Sequence, residues 1–186
     1  ATNQGTTPLP AASLTKVATT LAALDTWGID HRFETLISAT GQIQQGVLQG
    51  DLIIQAGGDP LFVWEEGFAL GNTLNQMGIR KVAGNLVVVG GFQMNFEIDP
   101  QRAGELLKEA MNAEVWGKDA NYQFAQLPPG TKKPNLAIAG AVQVVTTPGL
   151  VPPNQSLLVR HYSLPMVQIL KQMNVHSNNV ISETLA

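Results

Sequence analysis

The order of apolar and polar residues along the chain predicts an alternation of helices and strands. Residues 12–26 are apolar on nearly every side of a helix, which is typical of a buried central helix, and Gly28 follows as a plausible C-cap. Apolar residues at helical spacing predict further helices, whereas short β-branched runs between turn residues predict strands. The predicted helices cover residues 65–77, 100–113, 164–173 and 180–186, and the predicted strands lie within 35–39, 46–56, 86–89, 136–139 and 142–146.

Three stretches show no regular period. Residues 1–10 are polar and predict a loop, with Pro10 at the start of the first helix, and residues 114–135 predict irregular structure. Residues 148–155 contain three prolines and predict a linker. Ser163 stands just before an apolar helical run and is predicted to cap it.

Composition narrows the class of protein. The chain has 186 residues, of which 44% are hydrophobic and only 13% are charged, with a net charge of -3. These values argue against disorder, a coiled coil and nucleic-acid binding. The absence of cysteine excludes a disulfide framework, a thiolate nucleophile and a cysteine zinc site. The sequence contains no apolar run of about 18 residues, so no transmembrane segment is expected, and its first residues do not resemble a signal peptide.

Ser13 and Lys16 form a Ser-x-x-Lys motif at the start of the predicted apolar helix. Residues three apart share a helix face, so the Lys16 side chain is expected beside the Ser13 hydroxyl. A serine becomes nucleophilic when a neighbouring base accepts its proton, and lysine can be that base. Taken alone the motif has an alternative explanation, a capping serine followed by a solvated lysine, because so short a pattern also arises by chance.

A second short motif, Ser177-Asn178-Asn179, lies between two predicted helical segments near the end of the chain. It fits Ser-x-Asn, which together with Ser-x-x-Lys and Lys-Thr-Gly forms the catalytic set of the active-site serine penicillin-recognising enzymes. A polar tripeptide by itself is more often a loop cap. The order of the two motifs along the chain makes the combination more specific than either motif.

The chain resembles the D-alanyl-D-alanine carboxypeptidase/endopeptidases of the penicillin-binding protein 4 type, the low-molecular-mass class C group. The resemblance is collinear and covers roughly residues 8–90 and 150–186. The stretches that carry it are residues 10–16, 28–35, 46–54, 57–61, 79–88, 176–179 and 183–185. Residues 92–149 show no alignment with this group.

The resemblance implies an α/β fold of the β-lactamase/transpeptidase kind with an inserted β-rich domain. Residues 1–35 and 151–186 would form parts of a discontinuous catalytic domain, and residues 36–150 would form an inserted α+β domain. This division agrees with the strand-rich pattern of the middle of the chain and with the prolines near residue 150.

The resemblance also implies a role for each motif residue. Ser13 would be the acylated nucleophile, and its own backbone amide would form half of the oxyanion hole. Lys16 would be the general base or part of a proton relay, and Ser177 would pass the proton to the leaving amine. Asn179 would bind the substrate amide and hold Lys16.

The implied reaction is hydrolysis of the terminal D-Ala-D-Ala bond of a peptidoglycan stem peptide through an acyl-enzyme. Cleavage of peptide cross-links is the related endopeptidase activity, and β-lactams would be covalent inhibitors. The resemblance implies no cofactor and no metal, and the composition implies no nucleic-acid partner. Such an enzyme works in the periplasm or elsewhere outside the cytoplasmic membrane.

The sequence departs from the group chiefly in that Lys-Thr-Gly is absent from all 186 residues. The spacing from Ser13 to Ser177 is also short for the group, the strands expected before the first helix are missing, and His31 stands where an aromatic residue is usual. The pattern that begins a helix at residue 180 stops after seven residues, which suggests an N-terminal piece of a longer protein. Two alternatives therefore stay open. One is a non-catalytic or truncated wall-associated domain, and the other is a β-lactamase or esterase of the same superfamily.

Other polar residues have simpler explanations. His31, His161 and His176 lack metal-ligand spacing and are expected to be surface or packing residues. Asp59, which precedes a proline, is expected to form a turn rather than to act as a catalytic acid.

Overall fold

A computed structural model describes residues 11–146 and 154–186 of the chain. The loop predicted for residues 1–10, with Pro10, lies outside the described residues, and so does most of the predicted linker at 148–155. The chain divides into two compact units. The helical unit comprises residues up to His31 and from Pro165 onward, and the sheet unit comprises Arg32–Leu164.

Six α-helices and nine strands are present in the two described ranges. The helices are α1 (Thr15–Trp27), α2 (Trp64–Gln76), α3 (Pro100–Ala110), α4 (Lys118–Phe124), α5 (Met166–Val175) and α6 (Asn179–Thr184), and a 3₁₀ turn, Ala12–Leu14, precedes α1. The strands are β1 (Glu34–Ala39), β2 (Ile43–Gln44), β3 (Val47–Leu48), β4 (Leu52–Gln55), β5 (Lys81–Val82), β6 (Leu86–Val89), β7 (Ala137–Ile138), β8 (Val142–Val145) and β9 (Ser156–Tyr162).

The sheet unit is built on two mixed sheets. A five-stranded sheet has the order β8-β6-β4-β1-β9, and a smaller four-stranded sheet has the order β2-β3-β5-β7. In the larger sheet β4, β6 and β8 run parallel, whereas β1 is antiparallel to both β4 and β9. Parallel strands need crossover connections, and the helices α2 and α3 lie on the chain between them. The predicted α/β class is confirmed.

The core of the sheet unit lies between the larger sheet and its helices. All four residues of β6 are buried, as expected for a β-branched run inside a parallel sheet. Helix α3 approaches β6 and β8 closely, because a side chain at Gly104 would come within 2.6 Å of Val142. Phe68 of α2, Phe124 of α4 and Trp116, which precedes α4, form a further aromatic cluster with ring centroids 4.7 to 5.5 Å apart.

Several local predictions were wrong. Helix α4 lies inside the stretch 114–135, which was predicted to be irregular. Strand β9 was not predicted, and the pattern of its residues explains why, because none of them is fully buried. Ser163 does not cap the following helix, whose N-cap is Pro165. Its hydroxyl instead accepts a hydrogen bond from the Phe33 amide at 2.9 Å.

The helical unit contains α1, α5 and α6. Helix α1 ends at Gly28 with φ +81°, so the predicted C-cap is confirmed. The prediction that α1 is buried on all sides was wrong for this chain, because Leu14, Val17 and Leu21 are 74%, 56% and 63% exposed. Within the unit α1 packs on α5, which covers one side of it.

The sheet unit begins at Arg32, close to the predicted start of the insert at residue 36, but it ends at Leu164 rather than at residue 150. The prediction that residues 1–35 and 151–186 belong to a catalytic domain and 36–150 to an insert concerns function as well as compactness. It stays a prediction.

Candidate active site

Ser13 lies in the 3₁₀ turn that leads into α1. The preceding residue, Ala12, has φ +46°, a left-handed conformation that costs free energy for a residue with a side chain. The Thr15 hydroxyl donates to the Ala12 carbonyl at 2.8 Å, which holds this turn closed. Such strain persists only where surrounding contacts maintain it, and it is frequent at functional sites.

The second motif forms the turn between α5 and α6. Ser177 follows the end of α5 with φ +51°, and the Asn178 amide donates to the Met173 carbonyl at 2.9 Å. This is the six-to-one bond of a Schellman motif, in which the left-handed position is usually glycine. The Asn178 side chain then caps α6 by accepting from the Ile181 amide at 3.0 Å. A serine therefore occupies a position where glycine would be less strained.

The structure brings the four predicted residues together as two hydrogen-bonded pairs. Ser13 Oγ lies 2.7 Å from Ser177 Oγ, and Lys16 Nζ donates to Asn179 Oδ1 at 2.6 Å. The partners are separated by 164 and 163 residues in the sequence. Lys16 is only 5% exposed, whereas Ser13 is exposed.

This arrangement has the parts that serine acyl transfer needs. An exposed hydroxyl can meet a carbonyl carbon, and a second hydroxyl within hydrogen-bond distance gives its proton a path. A buried amine nearby is shielded from water but held by a neutral amide oxygen. An amide oxygen is an acceptor without a charge of its own, so Asn179 holds the Lys16 side chain through a hydrogen bond rather than an ion pair.

Two further polar contacts in the helical unit were missed by the sequence analysis. Thr19 Oγ1 lies 3.3 Å from Ser182 Oγ, and Asn174 Nδ2 donates to Thr20 Oγ1 at 3.1 Å. The sequence offered one signal, the spacing of residues on α1. Thr19 follows Lys16 by three residues, as Lys16 follows Ser13, so the three side chains are expected on one helix face. Nothing local in the sequence indicates their partners.

A separate group of titratable side chains lies in the sheet unit. Asp59 accepts from the Leu61 amide at 2.9 Å, so its predicted role as a turn residue is confirmed. Burial raises its pKa to about 6, and burial raises the pKa of Glu66 to about 7. His161 Nε2 lies 3.9 Å from Asp59 Oδ2, and burial lowers the pKa of this histidine. Among the described residues no group of three His, Cys, Asp or Glu side chains could hold a metal ion.

Comparison with known proteins finds proteins that are similar to this chain in sequence. The D-Ala-D-Ala carboxypeptidase 3 (S13) family matches residues 1–92. The D-alanyl-D-alanine carboxypeptidase DacB of Haemophilus influenzae is 37% identical over 84 residues, which are 45% of this chain and 18% of that protein. The resemblance to the penicillin-binding protein 4 type is confirmed.

Comparison with solved structures finds proteins that share the fold of this chain. The penicillin G acylated Bd3459 predatory endopeptidase of Bdellovibrio bacteriovorus, in complex with immunity protein Bd3460, superposes with a TM-score of 0.72 at 26% identity. The superposition covers 95% of this chain and 46% of that one. Penicillin-binding protein 4 of Haemophilus influenzae, complexed with a β-lactam, superposes with a TM-score of 0.65 at 18% identity, over 94% of this chain and 53% of that one.

These likenesses confirm the predicted fold class, α/β of the β-lactamase/transpeptidase kind. The chain spans about half the length of these two solved structures, and its 84-residue match covers 18% of the DacB sequence. Across residues 11–146 and 154–186, no helix has the length and apolar character that a membrane crossing requires.

Proposed function

We propose that this chain is part of a serine-type D-Ala-D-Ala carboxypeptidase of peptidoglycan metabolism, with cleavage of peptide cross-links as the related endopeptidase activity. The observation that carries the proposal is the pair of contacts Ser13–Ser177 and Lys16–Asn179. They link the Ser-x-x-Lys and Ser-x-Asn motifs of one enzyme class, in a chain whose first 92 residues match the S13 family. If the two motifs were only helix caps, no contact between their side chains would be expected.

In the proposed reaction Ser13 Oγ attacks the carbonyl carbon of the penultimate D-alanine. Its proton passes to Lys16, which must take part as the neutral amine, and the carbonyl oxygen becomes an oxyanion. The backbone amide of Ser13, at the start of a helix, would donate to this oxyanion. Asn179 would keep Lys16 in place and offer its amide group to the peptide bond of the substrate.

The tetrahedral intermediate collapses as the C–N bond breaks. The leaving amine of the terminal D-alanine takes a proton, which Ser177 would deliver from Lys16, and an ester on Ser13 remains. Water then hydrolyses this ester and restores the Ser13 hydroxyl. A β-lactam would acylate Ser13 in the same way, with its ring amide in the place of the scissile bond.

The proposed substrate determines the location and the partners. Peptidoglycan stem peptides lie outside the cytoplasmic membrane, so the protein would act in the periplasm or another extracytoplasmic space. Its ligands would be a stem peptide that ends in D-Ala-D-Ala and, as covalent inhibitors, β-lactams. Residues 1–35 and 151–186 would supply the motifs, and residues 36–150 would form the insert.

A second candidate function is a wall-associated domain that keeps the scaffold without turnover. It stays open because Lys-Thr-Gly does not occur in these 186 residues. The catalytic set of this enzyme class contains that third motif. Acylation of the chain separates the two candidates, because a scaffold whose Ser13 does not act as a nucleophile forms no covalent adduct.

The test is the intact mass of the chain after incubation with penicillin G. The parent chain is compared with Ser13→Ala, with Lys16→Met and with the control Ser156→Ala, which removes an exposed hydroxyl at the start of β9. We expect one penicilloyl adduct on the parent and on the control and none on Ser13→Ala. Lys16→Met should slow the adduct by about 10²- to 10⁴-fold, the usual contribution of a general base.

An adduct that persists on Ser13→Ala would overturn the assignment of the nucleophile. No adduct on the parent would show that the chain alone does not form the acyl-enzyme and would favour the scaffold. Rapid loss of the adduct, with release of penicilloic acid, would instead identify a β-lactamase of the same superfamily.

A further inference from the structure

A third hydrogen bond continues the line of contacts in the helical unit. Thr19 Oγ1 and Ser182 Oγ lie 3.3 Å apart, beyond the Lys16–Asn179 contact. Thr19 follows Lys16 by three residues, and Ser182 follows Asn179 by three residues. Three residues are about one helical turn, or about 4.5 Å along the axis. The contacts therefore match turn for turn, with both helices running in the same direction at this point.

Helix α6 depends on such contacts for its position. It contains six residues, Asn179–Thr184, and a helix this short is not stable alone in water. Asn178 caps its start, and Ile181 and Leu185 are buried at 1% and 4% exposure. Apolar packing is less directional than a hydrogen bond, so it constrains the register of one helix on another less sharply. A hydrogen bond between side chains adds a specific distance and direction.

We propose that Thr19 and Ser182 are positioning residues that hold α6 in register on α1, so that Asn179 stays in contact with Lys16. A slide of α6 by one residue would move Asn179 by about 1.5 Å, enough to break a hydrogen bond. Errors of about 1 Å in catalytic geometry cost about 100-fold in rate. The catalytic consequence rests on the proposed function, but the contact itself does not.

The kinetic arm of the test uses the penicillin reaction. Thr19→Val removes the hydroxyl and keeps the branched shape, and Ser182→Ala removes the partner. Each should lower the acylation rate constant by about 10- to 100-fold and leave the dissociation constant of the non-covalent penicillin complex unchanged. The double variant should be no slower than either single variant, because both remove the same contact. Thr19→Ser keeps a hydroxyl and should restore the rate.

The second arm needs no turnover. In NMR spectra of the free chain, the side-chain amide signals of Asn179 and the ε-methylene signal of Lys16 report their contact. In Thr19→Val and Ser182→Ala both should move toward the values of solvated side chains, and in Thr19→Ser they should return. The control is Thr26→Val, which makes the same change at an exposed residue of α1. It should move neither signal.

The two arms separate the inference from the proposed function. If the parent chain is not acylated, the proposed function fails for this chain and the NMR arm alone decides the inference. Unmoved Asn179 and Lys16 signals in both variants would overturn the positioning role, whatever the acylation result. An acylated parent whose variants keep its rate would also overturn it, while leaving the proposed function in place.

Discussion

At Ser177 the backbone and the side chain have opposite preferences. The left-handed conformation, φ +51°, favours glycine, whereas the contact with Ser13 and the proposed proton path both require a hydroxyl. Strain of this kind at a single residue is a reason to examine function, and here the strained residue contacts the candidate nucleophile. Ala12, with φ +46°, shows the same feature on the other side of the contact.

Ser177→Gly and Ser177→Ala separate the two preferences. Both lose the hydroxyl, so both should lose penicillin acylation to the same extent. Glycine adopts positive φ without strain, so the glycine variant should be more stable than the alanine variant by about 1 kcal/mol. Urea unfolding of the two variants measures the difference.

The matched control is Ser156, at the first residue of β9. There the order should reverse, with alanine more stable than glycine, because glycine weakens a strand. Equal stability of the two Ser177 variants would mean that the left-handed turn is not kept in solution.

Asp59 should make the stability of the chain depend on pH. Burial raises its pKa from 3.8 to about 6, so the folded chain holds this proton more tightly than the unfolded chain. Ionisation of Asp59 therefore lowers the free energy of unfolding as the pH rises from about 4 to 7, and Asp59 has no such effect below pH 4. Asp59→Asn removes the carboxylate, so its stability relative to the parent should rise over this range by up to about 3 kcal/mol.

The measurement is urea unfolding of parent and variant at pH 4.5 and pH 8. Glu34→Gln is the control. Hydrogen bonds from Arg160 and Tyr162 lower the pKa of Glu34 from 4.5, so any stability that its carboxylate adds is gained at and below about pH 4.5. The difference in stability between this variant and the parent should therefore stay nearly constant from pH 4.5 to pH 8. If the difference in the free energy of unfolding between Asp59→Asn and the parent does not change with pH, then Asp59 is not buried as an ionisable group.

At the scale of the element, α3 shows how packing can reverse a local preference. Alanine is normally better than glycine inside a helix by about 1 kcal/mol. At Gly104 an added Cβ would lie 2.6 Å from Val142 Cγ1 and 2.9 Å from Val88 Cγ2, which no real contact allows. The helix therefore lies closer to the sheet than a side chain at this position would permit.

Gly104→Ala should destabilise the chain by about 1 to 3 kcal/mol, the usual cost of overpacking a core. Glu105→Ala, an exposed change on the same helix, should stay within about 0.5 kcal/mol of the parent. Thermal or urea unfolding of the three proteins is the measurement. A stabilised Gly104→Ala would mean that α3 can move away from the sheet at little cost.

The elements that were predicted correctly carry strong local signals. Strand β6 is a run of four β-branched or aliphatic residues between turn residues, and α3 starts with Asp99 as cap and Pro100 as first residue. Helix α4 and strand β9 have no such signals. The first is positioned by the packing of Trp116 and Phe124, and the second by its hydrogen bonds to β1. Both depend on partners far along the chain.

At the scale of the molecule, apolar side chains are exposed along the start of α1 and the turn before it. Leu14, Val17 and Leu21 recur at helical spacing and are all more than half exposed. Contiguous apolar surface of this kind binds hydrophobic dyes and promotes association in water. The 186-residue chain should therefore show both behaviours.

The combined change Val17→Gln and Leu21→Gln should lower dye fluorescence and light scattering. It should alter the free energy of unfolding by no more than about 0.5 kcal/mol per residue, because neither side chain is buried. Ile98→Gln is the control, since Ile98 is 64% exposed in the sheet unit and is not part of this stripe. An unchanged dye signal in the double variant would show that the face is covered in solution.

The sequence by itself determined the elements with strong periodic or capping signals and the identity of the two motifs. It also determined the relationship to the penicillin-binding protein 4 type, because that depends on the order of residue types. It could not determine which side chains meet. Ser13 and Ser177 are 164 residues apart, and no local rule relates them.

Only the tertiary structure decided the pairing of Lys16 with Asn179, the Thr19–Ser182 contact and the exposure of α1. The physical reason is the range of the interactions. Propensity, capping and turn formation act over a few residues, and the sequence displays them directly. Burial and side-chain hydrogen bonds depend on which distant surfaces pack together, and these exist only in the folded chain.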